Sequence, residues 1–137
     1  MKTVVAIGEL LIDFVPQQKG CALDEVVQFE RVAGGDERAA LSGRFHDDGA
    51  EVGEDAFGTH ILKVLNAANV DTSSVFRTNR ANTALAFVSL DKTGNREFSF
   101  YRNPSADLFL DETQIAPEMF ENCAALHFCS VDLVDWP

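Results

Sequence analysis

The sequence predicts an α/β domain carrying extra antiparallel strands, and three observations predict it. The chain opens on a continuous apolar and β-branched run from Thr3 to Val15, which suits a strand buried on both faces in a helix-covered parallel sheet. A strongly periodic helical stretch lies in the middle, between residues 54 and 70. Two alternating segments around a polar turn, between 82 and 102, then read as a hairpin.

Taken in order, the elements have local causes. Pro16 stops the first run, and Gln17-Gln18-Lys19-Gly20 is polar turn material. Val26 to Val32 alternates well enough for a second, half-exposed strand, and Gly34-Gly35 punctuates the chain after it. From Asp36 to Glu51 the sequence is atypical: Asp36 to Leu41 could begin a helix, but Ser42-Gly43 and Asp47-Asp48-Gly49 interrupt any apolar face. Phe57, Ile61, Val64, Leu65 and Ala68 then fall on one helical face, with Glu54 and Asp55 in the first turn, where the helix dipole favours anions. Asn82 to Leu90 alternates as a strand, Asp91 to Asn95 is a turn, and Glu97 to Arg102 returns with Phe98 and Phe100 on one face. Pro117 suits the first turn of a short helix reaching about Asn122, and Ala125 to Val131 reads as another buried strand.

Size and charge bound the function. With 137 residues, 46% apolar and 24% charged, the chain can bury the core of about one domain and is not a disordered tail. Acidic residues outnumber basic ones 22 to 11, for a net charge of −11, which argues against nucleic acid or an anionic membrane surface as a partner. No apolar run approaches the roughly 20 residues of a membrane span. Met1 to Gly8 reads as a buried strand, not a signal peptide, so a cytoplasmic setting is expected. Cys21, Cys123 and Cys129 lack metal-ligand spacing and are expected as free buried thiols. His46, His60 and His127 form no metal pattern, and His127, within an apolar strand, is expected as a core histidine; no metal site is predicted.

Asp13 is the most informative acidic residue, because it stands near the end of an otherwise apolar strand, where ligands bind in open α/β sheets. A carboxylate there can accept hydrogen bonds from two neighbouring hydroxyls and so grip a polyol; it could equally cap a turn. Gly34-Gly35 allows close backbone approach to a ligand, or is an ordinary turn. Arg102, at a strand end beside aromatic rings, could contact substrate oxygens or stand as a solvated rim residue. The Phe98/Phe100 face suits packing more than a binding platform. No G-x-G-x-x-G follows the first strand and no G-x-x-x-x-G-K-[ST] occurs, so neither a Rossmann nor a P-loop phosphate site is supported. Residue chemistry alone therefore yields a polar-ligand site without a reaction.

Several segments together resemble the ribokinase/PfkB family of sugar kinases, in its fructokinase-like branch. The opening Val5-Ala6-Ile7-Gly8-Glu9-Leu10-Leu11-Ile12-Asp13-Phe14 resembles that branch's first strand, and Val52-Gly53-Glu54-Asp55-Ala56-Phe57-Gly58 its V-G-x-D-x-F-G element. Asn69-Val70-Asp71-Thr72, Thr83 to Val88, Phe100-Tyr101-Arg102, Ser105-Ala106-Asp107-Leu108 and Leu126-His127-Phe128 follow in family order. The ordered set spans nearly the whole chain but only about the first half of a typical member. The resemblance implies a partial ribokinase-like, Rossmann-type sandwich with a small β-sheet lid from residues 14–33 and 82–102, its C-terminal half absent. It implies that Asp13 grips sugar hydroxyls, that Gly34 and Gly35 lie at the lid hinge against the sugar, and that Phe100 and Arg102 line the pocket. The implied chemistry is transfer of the ATP γ-phosphoryl group to a sugar hydroxyl, a ketohexose being favoured, with Mg²⁺ neutralising charge.

Two departures qualify it. The family's double glycine is followed by a small-residue stretch with a sugar-contacting Asn, then a long helix and a core strand; here 36–51 is charged and Gly-broken, with Ala39 at the Asn position. One helix and one core strand are expected to be missing or rebuilt. The chain also ends before the family's G-A-G-D motif, which supplies the catalytic Asp and an anion hole. Ala33-Gly34-Gly35-Asp36 imitates that motif without its setting, so Asp36 is not expected to act as a base and no catalytic residue is assigned. The ATP and Mg²⁺ sites would lie outside this chain. The expectation is a sugar-binding half inactive by itself; the alternatives are a non-catalytic dimerisation or regulatory module, with lids pairing as a homodimer, or a truncated, decayed kinase.

Overall fold

The structure, a computed structural model, describes residues 3–35 and 45–128. The opening apolar run is two strands, not one. β1 (Thr3–Ile7) and β2 (Leu10–Pro16) belong to different sheets, and the chain crosses between them at Gly8-Glu9. Apolar residues fill both, so composition hides the break. The Gly8 N–H donates to the Gly49 carbonyl at 3.1 Å, the last rung of the β1–β4 ladder before the chain crosses.

The remaining elements are β3 (Phe29–Gly35), β4 (Phe45–Gly53), α1 (Ala56–Ala67), β5 (Val75–Thr78), β6 (Ala84–Leu90), β7 (Arg96–Tyr101) and β8 (Cys123–Phe128). Short 3₁₀ turns stand at Leu23–Glu25, Ala106–Phe109 and Pro117–Phe120, the last with Pro117 in its first turn as the sequence suggests. β3 begins three residues later than the alternation of Val26 to Val32 implied, and the two glycines lie inside its end.

A central parallel sheet runs β5-β4-β1-β8, and a second, mixed sheet runs β3-β2-β6-β7. In the second sheet β2 pairs antiparallel with β3 and parallel with β6, and the predicted hairpin joins β6 to β7. Its strands come from 10–16, 29–35, 84–90 and 96–101.

β4, within the segment where a core strand was expected to be missing or rebuilt, is a strand of the central sheet. Its backbone pairs with β1 from Phe45 to Gly49 and with β5 from Ala50 to Gly53. The ladder with β1 overrides the turn-like Asp47-Asp48-Gly49 composition. Asp36, Ala39 and Cys129 lie outside the described residues.

One core wedge ties the layers together. Ile61 and Leu65 on α1 pack with Leu10, Ile12 and Ala33 of the second sheet and with Ala50 and Val52 of the central sheet. Burying each such aliphatic side chain contributes about 1.5–3 kcal/mol. Phe14, at the hub of an aromatic cluster, stacks on Phe87 at 4.6 Å and meets Phe29 and Phe57 edge-on. β8 departs from its buried reading: it is the outer strand of the central sheet, with Leu126 and Phe128 about half exposed and His127 half-buried. Its composition anticipates a cover that none of the described residues provides. Cys21 and Cys123 are free thiols, half-buried instead of buried.

Candidate functional site

Cross-strand partners share a sheet face, and the register aligns one row across the second sheet. Val32 stands opposite Asp13, Asp13 opposite Ala86, and Ala86 opposite Phe100. Ala86 is almost fully buried. It forms a low floor between the Asp13 carboxylate and the Phe100 ring, two strands and so roughly 10 Å apart along the row. Leu11 and Ala84 continue that floor.

Gly34 is required beside Asp13. A Cβ there would lie 2.4 Å from Asp13 Oδ2 and 3.0 Å from Leu11 Cδ1, so a side chain would displace the carboxylate. Gly35 answers to a different constraint. Its φ is +90°, and a Cβ would lie 2.3 Å from the Glu9 carbonyl oxygen, at the crossing between the two sheets. The pair thus joins the site to the point where the second sheet leaves the central one.

Asp13 lines a cleft of about 890 Å³, together with Val15, Val32, Val88, Leu90 and Phe98 on the same face. The turn at its far end is closed by its own hydrogen bonds. Asp91 accepts from the Thr93 hydroxyl at 2.6 Å, the Thr93 N–H at 2.7 Å and the Asn95 N–H at 2.9 Å. The Thr93 hydroxyl first, then the Asn95 N–H, pushes its carboxyl down to about 2.

Phe100 and Arg102 line a second, smaller cleft of about 350 Å³ with Asn82, Thr83 and Tyr101. Arg102 is no solvated rim residue. Its side chain is 10% exposed, and its guanidinium pairs with Glu9 at 3.4 Å and with the fully buried Asp107. The structure therefore brings Asp13 and Gly34 together, sets Phe100 on the same face, and puts Gly35 and Arg102 at the joint beneath, each against Glu9.

The V-G-x-D-x-F-G element has a physical basis. Asp55 caps α1, accepting from Phe57 N–H at 2.9 Å and Gly58 N–H at 2.8 Å, and also from Thr83 N–H at 2.7 Å and the Thr83 hydroxyl at 2.9 Å. A Cβ at Gly53 would lie 2.5 Å from Asp55 Oδ2, and one at Gly58 2.3 Å from the Gly53 carbonyl oxygen. The element is a packed knot tying α1 to the start of β6.

That knot also bears on ATP and Mg²⁺. At the N-terminus of α1, the one α-helix among the described residues, the Phe57 and Gly58 N–H groups are already taken by the Asp55 carboxylate, which occupies the place an anion would take. Among the described residues no three His, Cys, Asp or Glu side chains gather as a cation site. The described residues offer no nucleotide–metal centre, and no step is routed through one.

Sequence reasoning missed Glu9 and Asp107, whose partner lies 93 and 5 residues away. The Ser105-Ala106-Asp107-Leu108 segment was the available signal, but its role needed the fold.

The pfkB family carbohydrate kinase model matches residues 1–136. Fructokinase-1 of Oryza sativa subsp. japonica is 39% identical over 139 residues, and Probable fructokinase-5 of Arabidopsis thaliana is 36% identical over 146. Each match covers 98% of this chain but 43% of the relative, so the chain spans less than half the length of either. The crystal structure of fructokinase from Xylella fastidiosa superposes with a TM-score of 0.83 at 32% identity, over 98% of this chain and 43% of that one. The same enzyme with bound ATP gives 0.81 at 33% identity, covering 98% and 41%. No described helix is long and apolar enough to cross a membrane. The chain belongs to the pfkB family of carbohydrate kinases, with the ribokinase-like fold of its fructokinase relatives.

Proposed function

We propose that this chain is the sugar-binding and lid part of a fructokinase-like kinase, acting in the cytoplasm on a ketohexose, with the second sheet as the lid. The observation that carries the reading is the row Asp13–Ala86–Phe100 with Gly34 packed against the carboxylate. A small-residue floor between an acceptor and an aromatic edge suits a hydroxyl-rich ring: the carboxylate takes hydroxyl protons while the apolar floor meets the C–H face. Phosphoryl transfer would then need a base, ATP and Mg²⁺ held by residues outside this chain. Without the base alone, rates fall by about 10²–10⁴-fold, so the isolated chain is expected to bind fructose but to make little sugar phosphate from ATP.

Titration calorimetry tests this directly. The chain should bind fructose saturably, and Asp13→Ala should weaken binding by about tenfold or more, since a charge-assisted hydrogen bond contributes roughly 1.5–3 kcal/mol. Fructose binding that ignores Asp13→Ala, or none by the folded wild type, would sink the reading.

A second reading rests on another observation. Phe98 and Phe100 stack at 5.5 Å on β7, an outer strand, and are 47% and 57% exposed. An exposed aromatic strip on a sheet edge suits a lid-to-lid homodimer. Phe98→Asp is expected to convert a dimer to a monomer by light scattering; a wild type already monomeric at high concentration ends this reading.

A further inference from the structure

A loop pinched at its base wraps the end of the second sheet. Residues 17–28 join β2 to β3, and the Gln17 N–H donates to the Gln28 carbonyl at 3.1 Å while the Val27 N–H donates to Gln18 Oε1 at 2.6 Å. Compact loops whose ends meet in this way are structural units of their own. Little anchors this one. No residue from 17 to 28 is buried, and Val27 is 80% exposed.

The loop nevertheless reaches across two strands. In the order β3-β2-β6-β7 it joins the first two, yet its 3₁₀ turn at Leu23–Glu25 lies against β6, and the Leu23 N–H donates to Glu97 Oε2 on β7 at 2.8 Å. Its first residues have a different place. Gln18, Lys19 and Gly20 line the larger cleft, and a Cβ at Gly20 would lie 3.6 Å from Lys92 Cγ in the 91–95 turn. One loop thus supplies a wall of the cleft and, a few residues on, a latch to β7.

The group beneath the latch works against a permanently closed loop. Ser89 stands opposite Glu97 in the β6–β7 ladder, so the two side chains share a face. Ser89 is 1% exposed, and its hydroxyl finds no hydrogen-bond partner among the described residues. Closing the loop over it keeps the hydroxyl from water without pairing it, a cost borne by the closed state alone. The Leu23–Glu97 hydrogen bond, itself exposed, opposes that cost. With no buried side chain to add, the loop is held far less firmly than the sheet beneath it.

We propose that residues 17–28 form a hinged strap, latched by Glu97 over Ser89, that opens and closes one wall of the cleft while the second sheet stays folded. The device is independent of which ligand the cleft takes.

The strap carries its own readouts: the Leu23 amide, the half-buried Cys21 thiol and the Lys19–Gly20 peptide bond. In the wild type, the Leu23 amide should exchange with solvent about tenfold or more faster than the ladder amides of β2 and β6. Ser89→Ala should slow both Leu23 exchange and Cys21 alkylation by iodoacetamide about fivefold or more, because the closed strap then buries no unpaired hydroxyl. Glu97→Ala should speed both by a similar factor, and Glu97→Gln, which keeps an acceptor, should recover much of the difference. Tryptic cleavage after Lys19 should change in step with them, since the cleft wall moves with the latch. Cys123 on β8 should be alkylated at the wild-type rate in every variant, which separates strap opening from loss of the fold. A Leu23 amide as protected as those of β2 and β6 overturns the proposal, because the loop then opens only with the sheet. Ser89→Ala that leaves the Leu23 and Cys21 rates unchanged, or raises them, overturns it as well. Cleavage after Lys19 that ignores both Ser89→Ala and Glu97→Ala shows a wall that does not follow the latch, and the gate falls.

Discussion

Replacing Asp55 with Ala is expected to lower the unfolding free energy by roughly 3 kcal/mol, a large part of the 5–15 kcal/mol typical of such domains. Loss of an N-cap alone costs about 0.5–2 kcal/mol. Asp55 also satisfies the Thr83 N–H and hydroxyl, and a buried donor left unpaired costs about 1–3 kcal/mol more. Gly53 is closed against the same carboxylate and Gly58 against the Gly53 carbonyl oxygen, so the knot is tightly packed around the cap. Urea denaturation should show the midpoint falling with little change in slope. A variant within about 0.5 kcal/mol of wild type would show that the knot carries no stability.

The same residue gives a pH signature. Burial acts to raise the Asp55 carboxyl, but hydrogen bonds from Gly58, Thr83 and Phe57 outweigh it and hold the group below its ordinary 3.8. The folded state therefore binds this proton less readily than the unfolded chain. The stability it confers is complete above 3.8 and is lost as pH falls through the depressed folded value. In Asp55→Asn that acid-side component should vanish while part of the cap persists.

Elements with an unmistakable period were legible in the sequence. The α1 face of Phe57, Ile61 and Leu65 and the β6–β7 hairpin follow from spacing alone, because their burial follows local repeats. Three features were not. The break at Gly8-Glu9 is hidden because both flanking strands are apolar. β4 is hidden because its stability comes from ladders on either side, which composition does not record. The shared cleft of Lys19 and Lys92 is hidden because they sit in separate polar turns that look merely solvated until the sheet brings them together.

The candidate site divides in the same way. Asp13 was legible as a charge at the end of an apolar strand, and the glycine pair as conformational punctuation. What the sequence left open was why both are needed: Gly34 makes room for the Asp13 carboxylate, while Gly35 makes room for the Glu9 carbonyl at the joint. Neighbours in sequence serve different ends, one shaping the floor of the site and the other letting the second sheet turn away from the first.

Arg102→Met is expected to destabilise the fold by about 3–5 kcal/mol, the usual cost of stranding buried charges by removing one partner. Glu9 and Asp107 would be left as two carboxylates, 14% and 1% exposed, with their shared cation gone. The triad clamps three segments: the β1–β2 crossing through Glu9, the end of β7 through Arg102, and the following turn through Asp107. Arg102→Lys should recover only part of the loss, because a single ammonium cannot reproduce a planar guanidinium reaching two acceptors. Adding Glu9→Gln to Arg102→Met should restore some stability by removing one stranded charge, so the two changes should be non-additive. A role for Arg102 confined to substrate oxygens predicts the opposite pattern, with sugar affinity falling while the thermal midpoint and urea midpoint stay at wild type. Positioning through the triad predicts that stability falls first, and that sugar affinity falls with it because the Glu9 crossing on which Gly35 packs loses its side-chain anchor.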